Sequence, residues 1–115
     1  MSLDTVIDQK TYDELVATVG EDFIGELVAT YLEETPQLLV QLREAWNRRD
    51  VESFRRSAHS IKSSSASLGA LIFSEKARGL EMLGKQGSLE GAETALAQLE
   101  ADYTQVAQIF TERMA

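Results

Sequence analysis

The chain has 115 residues, with 19 acidic against 11 basic side chains, a formal charge of -8 and no cysteine. A chain of this length forms one domain that hides roughly two thirds of its unfolded surface, so a core can form without disulfides or metal. The acidic balance speaks against general nucleic-acid binding, which wants clustered Lys and Arg, and the missing cysteine removes disulfide scaffolds, thiolate zinc sites and Cys nucleophiles.

Helical periodicity runs through almost the whole sequence. A short first helix is predicted from about Asp8 to Val19, with Tyr12, Leu15 and Val16 apolar and Gly20 as its stop signal. The second, from about Asp22 to Asn47, carries Phe23, Ile24, Leu27, Val28, Tyr31, Leu32, Leu38, Leu39, Leu42 and Trp46 at steps of three and four. Pro36 lies inside it and should kink it near Leu32, because proline removes one backbone donor. Arg48-Arg49-Asp50 reads as a turn, with Asp50 capping a third helix that aligns Val51, Phe54, Ala58, Ile61 and Leu68 and ends near Gly69. A fourth, about Leu71 to Lys85, offers Phe73, Ala77, Leu80 and Leu83 before Gly84 and Gly87 break it. Ser88 is expected to cap the fifth, whose stripe is Ala92, Leu96, Leu99, Tyr103, Val106 and Phe110. No segment alternates with period two. The expected fold is all-α: an antiparallel up-and-down four-helix bundle with a short extra N-terminal helix, as one domain over residues 1–115. No apolar run approaches the roughly 18 residues of a membrane span. Met1-Ser2-Leu3-Asp4 lacks the marks of a signal peptide, so a soluble cytoplasmic protein is expected.

Several chemistries fail on inspection. Gly79-Leu80-Glu81-Met82-Leu83-Gly84-Lys85 imitates a phosphate-binding loop, but Gln86 stands where the magnesium-ligating Ser or Thr belongs, at a helix end. A carboxylate-bridged di-metal bundle needs Glu-x-x-His pairs, and the residue three before the single histidine is Arg56. Haem ligation by His59 with Met82 or Met114 requires His59 to face inward. Trp46 reads as core or rim packing.

Direction on the third helix bears on His59. At ~100° per residue, His59 falls ~130° from the mean core direction and Lys62 ~70° from it, one turn on. Arg55 and Arg56 precede them by a turn, and Ser63 and Ala66 continue the outer strip. Ser64, Ser65 and Ser67 are expected to fill gaps between helices and bond back to carbonyls. Ser60, Ser63 and Ala66 would leave a low surface around His59 on which another protein can dock. A neutral imidazole is a nucleophile near pH 7, a neighbouring cation disfavours its protonation, and Lys62 could bond a transferred phosphoryl group. The residues alone leave two readings of His59 open, a phosphoryl acceptor and an ordinary solvated histidine.

The stretch Ala58-His59-Ser60-Ile61-Lys62-Ser63-Ser64-Ser65-Ala66-Ser67-Leu68-Gly69-Ala70 closely resembles the signature of histidine-containing phosphotransfer (HPt) domains. That signature runs Ala-His-x-hydrophobic-Lys-Gly-small-Ser, followed by Leu-Gly. The resemblance extends over the whole chain and implies a helical bundle that works as a phosphorelay intermediate. His59 would accept a phosphoryl group from a receiver-domain aspartate of a hybrid histidine kinase or response regulator and return it to another. Lys62 would match the family's phosphate-stabilising lysine, and Glu81 falls where some members have a glutamine reaching towards the histidine. The family's magnesium ion belongs to the receiver partner, so no cofactor or metal is expected in this chain. Arg55, Arg56, Ser60, Ser63, Ala66 and Gly69 are the expected docking residues, the arginines suiting a carboxylate-rich partner. Ser63 replaces the family's usual glycine, points ~170° from the core and is expected to narrow the choice of receiver. The amino-terminal module of chemotaxis kinases carries a similar His-Ser-Ile-Lys run, but is fed by an ATP domain that has no counterpart here. The expectation is a monomeric phosphocarrier without a kinase site, nucleic-acid partner or membrane association, the alternative being a non-catalytic adaptor bundle.

Overall fold

Helix boundaries fall where the chain supplies caps. The computed structural model describes residues 6–114, with helices α1 (Gln9–Val19), α2 (Glu21–Arg48), α3 (Val51–Ser67), α4 (Leu71–Lys85) and α5 (Ala92–Met114) and no strand among the described residues. The Met1-Ser2-Leu3-Asp4 segment and the side chain of Met114 lie outside what is described. The Asp8 carboxylate accepts from the Thr11 N–H at 3.0 Å, and the Asp50 carboxylate from the Ser53 N–H at 3.1 Å, so each starts a helix by satisfying an orphan donor. Gly20, at φ 90°, ends α1 and leads directly into α2.

The helix α2 continues through Pro36, which lies on the exposed side, where water can take up the Leu32 carbonyl that the proline leaves unpaired. Two local expectations change. Ser88 caps only a turn, accepting from the Glu90 N–H at 3.2 Å. Gly91 at φ 80° delays α5 to Ala92. Gly84 does not break α4: it is buried inside the helix, with the α3 backbone against it.

The apolar stripes face one another as their spacing requires. Val28, Leu42, Phe54, Ala58, Ile61, Leu80, Leu96, Leu99 and Phe110 are fully buried. Phe23 is the exception, 48% exposed, because Ile24, Val28 and Tyr31 take the inward positions and leave it turned away. Rising residue numbers on one helix meet falling numbers on the next. Phe73 and Lys76 of α4 meet Tyr103 and Asp102 of α5, and Tyr31 and Arg43 of α2 meet Phe110 and Glu100 of α5. The four long helices therefore form an antiparallel up-and-down bundle. The short α1 lies across one end, with the Asp8 N–H donating to the Gly69 carbonyl at 2.7 Å and Tyr12 6.3 Å from Phe110. No helix among the described residues is long and apolar enough to cross a membrane.

Candidate functional site

The contact between α3 and α4 builds the site. At Gly84 the two backbones come so close that a Cβ there would stand 2.8 Å from that of Arg55. Further along, Ser74 Oγ donates to the Lys62 carbonyl at 2.8 Å, fixing the pair in register. Between these two points α4 delivers Glu81, only 2% exposed, to the side of α3 that carries His59 and Lys62.

Glu81 binds both. Its Oε2 lies 2.7 Å from His59 Nδ1, and its Oε1 accepts from Lys62 Nζ at 2.7 Å. Lys85, one turn on along α4, places Nζ 4.0 Å from Oε2. Burial alone would push the Glu81 carboxyl up. The hydrogen bonds from Lys62 and His59 outweigh it and hold the group below the usual carboxylate value. An ionised carboxylate only accepts, so Nδ1 must carry the shared proton, and in the neutral ring the lone pair is then on Nε2. The His59 side chain is 54% exposed, which leaves that nitrogen open to a partner.

The sequence expectations fare unevenly here. His59 is exposed, as its direction on the helix required. Lys62 flanks it on α3 but is not a bare cation beside the ring: it is 26% exposed and turned onto Glu81, so His59 faces a compensated ion pair. Arg55 and Arg56 lie on the outer strip, both drawn to Glu52, at 2.5 and 3.8 Å. Ser60 and Ser63 are exposed and Ala66 is half-buried. Gly69 is not a docking residue: it is buried beneath the start of α1, where even a Cβ would meet the Asp8 carbonyl oxygen at 3.0 Å. Of the three serines expected to fill gaps, only Ser65 is buried, and it pairs with the Tyr31 hydroxyl at 2.7 Å rather than with a carbonyl. Ser64 and Ser67 bond back to Ser60 and Ser63 on the half-buried and exposed sides. Met82 is exposed and His59 turned outward, so they form no inward haem pair. Trp46 packs at the rim, under the guanidinium of Arg49 at 4.3 Å. Ser74, Gly84 and Lys85 were missed as site residues. The i to i+4 spacing from Glu81 could have found Lys85.

Comparison with known proteins agrees with this geometry. The model of the Hpt domain family matches residues 26–109. The phosphorelay protein LuxU of Vibrio harveyi is 29% identical over 92 residues, covering 78% of this chain and 81% of that protein. The crystal structure of histidine-containing phosphotransfer protein B (HptB) from Pseudomonas aeruginosa PAO1 superimposes with a TM-score of 0.90 at 25% identity, over 95% of this chain and 94% of that one. An outward histidine in a helical bundle and a family match over most of the length converge: the chain belongs to the Hpt domain family, as a phosphotransfer intermediate of a phosphorelay.

Proposed function

We propose that this phosphotransfer intermediate carries its phosphoryl group on Nε2 of His59, taking it from an aspartyl phosphate of one receiver domain and giving it to the aspartate of another. The observation that carries this reading is the bond between His59 Nδ1 and the buried Glu81 carboxylate, made by a ring that is otherwise open. In the forward step the Nε2 lone pair attacks phosphorus, the N–P bond forms and the acyl P–O bond breaks. The receiver aspartate leaves as a carboxylate. No proton has to move. The ring gains positive charge with Nδ1–H in place, and the Glu81 carboxylate beside it offsets that charge. In the return step an aspartate oxygen attacks phosphorus, and because Nδ1 kept its proton the ring departs as neutral imidazole, a good leaving group. Lys62 supports Glu81 and through it the orientation of the ring.

Arg55, Arg56, Ser60, Ser63 and Ala66 form the docking face around His59. The arginines are a local positive patch on an acidic molecule, suited to the carboxylates of a receiver site. In this reading the chain acts as one cytoplasmic domain and as a monomer, since its bundle closes a core of its own. It is a phosphocarrier without an ATP site or metal, and binds neither nucleic acid nor membrane. The test is phosphoryl transfer from a panel of phosphorylated receiver domains to wild type and His59→Gln. Acid-labile, alkali-stable label on the wild type alone supports the assignment. Label that persists on the variant overturns it.

A further inference from the structure

Lys62 and Lys85 are differently placed to meet a new dianion. Lys62 is committed to Glu81 Oε1 at 2.7 Å and is mostly buried. Lys85 is 52% exposed, and among the described residues its ammonium makes no hydrogen bond, only the loose contact at 4.0 Å to Glu81 Oε2. That oxygen is the one His59 Nδ1 uses at 2.7 Å, so the two nitrogens lie no more than 6.7 Å apart. Lys62 holds the other oxygen of the same carboxylate. The remaining cations are held elsewhere. Arg55 grips Glu52 with two bonds of 2.5 and 3.2 Å. Arg56 is drawn to Glu52 at 3.8 Å and also borders a groove towards α2, with Gln41, Glu44 and Ser53.

We infer that Lys85 is the cation that swings from Glu81 to the phosphoryl oxygens once His59 is phosphorylated, while Lys62 stays with Glu81. This rests on His59 being the acceptor. With Nδ1 held by Glu81, a phosphoryl group on Nε2 stands outward, clear of the carboxylate. Lys85 has a flexible four-carbon stem and little to lose by moving, because an ion contact at 4.0 Å at the surface is weak. Its bond to a phosphoryl oxygen would be charge-assisted on both sides. Lys62 could make the same move only by leaving a buried carboxylate without its partner, a far costlier exchange. Phosphorylation would therefore redistribute the two lysines: one remains with the carboxylate and the other goes to the phosphoryl group.

The experiment uses the whole chain, phosphorylated with phosphoramidate so that no receiver has to dock, and follows the phosphohistidine phosphorus resonance by NMR across pH. The charged groups around the ring are Glu81, Lys62 and Lys85, with Arg55, Arg56 and Glu52 one turn away on α3. A cation on the phosphoryl group favours its dianion, so Lys85→Gln is expected to raise the titration midpoint by about half a unit and Lys85→Arg to restore it. A Lys85→Gln midpoint equal to that of the wild type overturns the inference while leaving His59 as acceptor. A wild type with no phosphohistidine resonance overturns both.

Discussion

Replacing Gly84 with alanine puts a methyl group where α3 already stands. An ideal Cβ at that position falls 2.8 Å from Arg55 Cβ, 3.0 Å from its Cα and 3.3 Å from its backbone nitrogen. Carbon atoms pack at about 3.5–4.0 Å, so α3 and α4 must part by ~0.7–1.2 Å along that turn. None of these atoms can rotate away. Overpacking of this kind costs about 1–3 kcal/mol, and the rigid neighbours argue for the upper half of that range. Alanine recovers ~1 kcal/mol of helix propensity, leaving a net loss of about 1–2 kcal/mol. Gly79, exposed in the same helix, is the control. A Cβ there meets nothing within 4 Å, so Gly79→Ala should gain about 0.5–1 kcal/mol. Urea unfolding followed by circular dichroism reads both, provided the slope with denaturant is unchanged. Midpoints that shift in the same direction for the two variants would refute the close-approach argument. The same parting of helices would stretch the 2.7 Å bond from His59 to Glu81 one turn away, so Gly84→Ala should also take up phosphoryl label more slowly than Gly79→Ala.

Three other outcomes follow from the structure. Tyr31→Phe leaves the buried Ser65 hydroxyl without its partner and should cost about 1–3 kcal/mol in urea unfolding. Adding Ser65→Ala should recover part of the loss, and a double variant less stable than the single one would contradict the pairing. Glu81 has a folded-state carboxyl value below its unfolded one, so its contribution to stability is present above the unfolded value of 4.5 and is lost as pH falls through the lower folded value. Glu81→Gln should therefore flatten the acid limb of a stability profile below about pH 4.5, and an unchanged acid limb would count against the ion pair. Ser63→Gly should broaden the range of receivers that exchange phosphoryl groups with the protein. Equal rates for wild type and variant across a receiver panel would remove Ser63 from the specificity argument.

What could be read from residues alone follows from what helices make periodic. Asp8, Gly20 and Asp50 mark helix ends through bonds made within a few residues, and the stripes on α3 and α5 repeat one local rule. The outward direction of His59 is of the same kind. Gly84 is not, because glycine inside a helix is locally unfavourable, and only the arrival of another backbone explains it. The burial of Gly69 is hidden for a related reason: nothing near it in sequence announces that α1 folds back over it. The burial of Glu81 leaves a trace in the spacing along α4. Ala77, Glu81 and Gly84 are spaced by four and three along α4, which puts a carboxylate in line with the small buried residues.

That trace connects folding to transfer. A carboxylate buried to this degree is costly unless its oxygens are paired, and both close partners, His59 and Lys62, come from the neighbouring helix. The packing of α3 on α4 and the orientation of His59 are thus one interaction, with the close approach at Gly84 and the Ser74 bond setting its geometry from either side. Any change that loosens this pair of helices should show first in the orientation of the ring and only later in loss of the bundle, because the rest of the core, from Val28 to Phe110, is mainly apolar and holds together without the carboxylate. The exposed face can meanwhile vary. Ser60, Ser63 and Ala66 make none of the bonds that hold Glu81, so substitutions on that strip should leave the bonds to His59 and Lys62 in place.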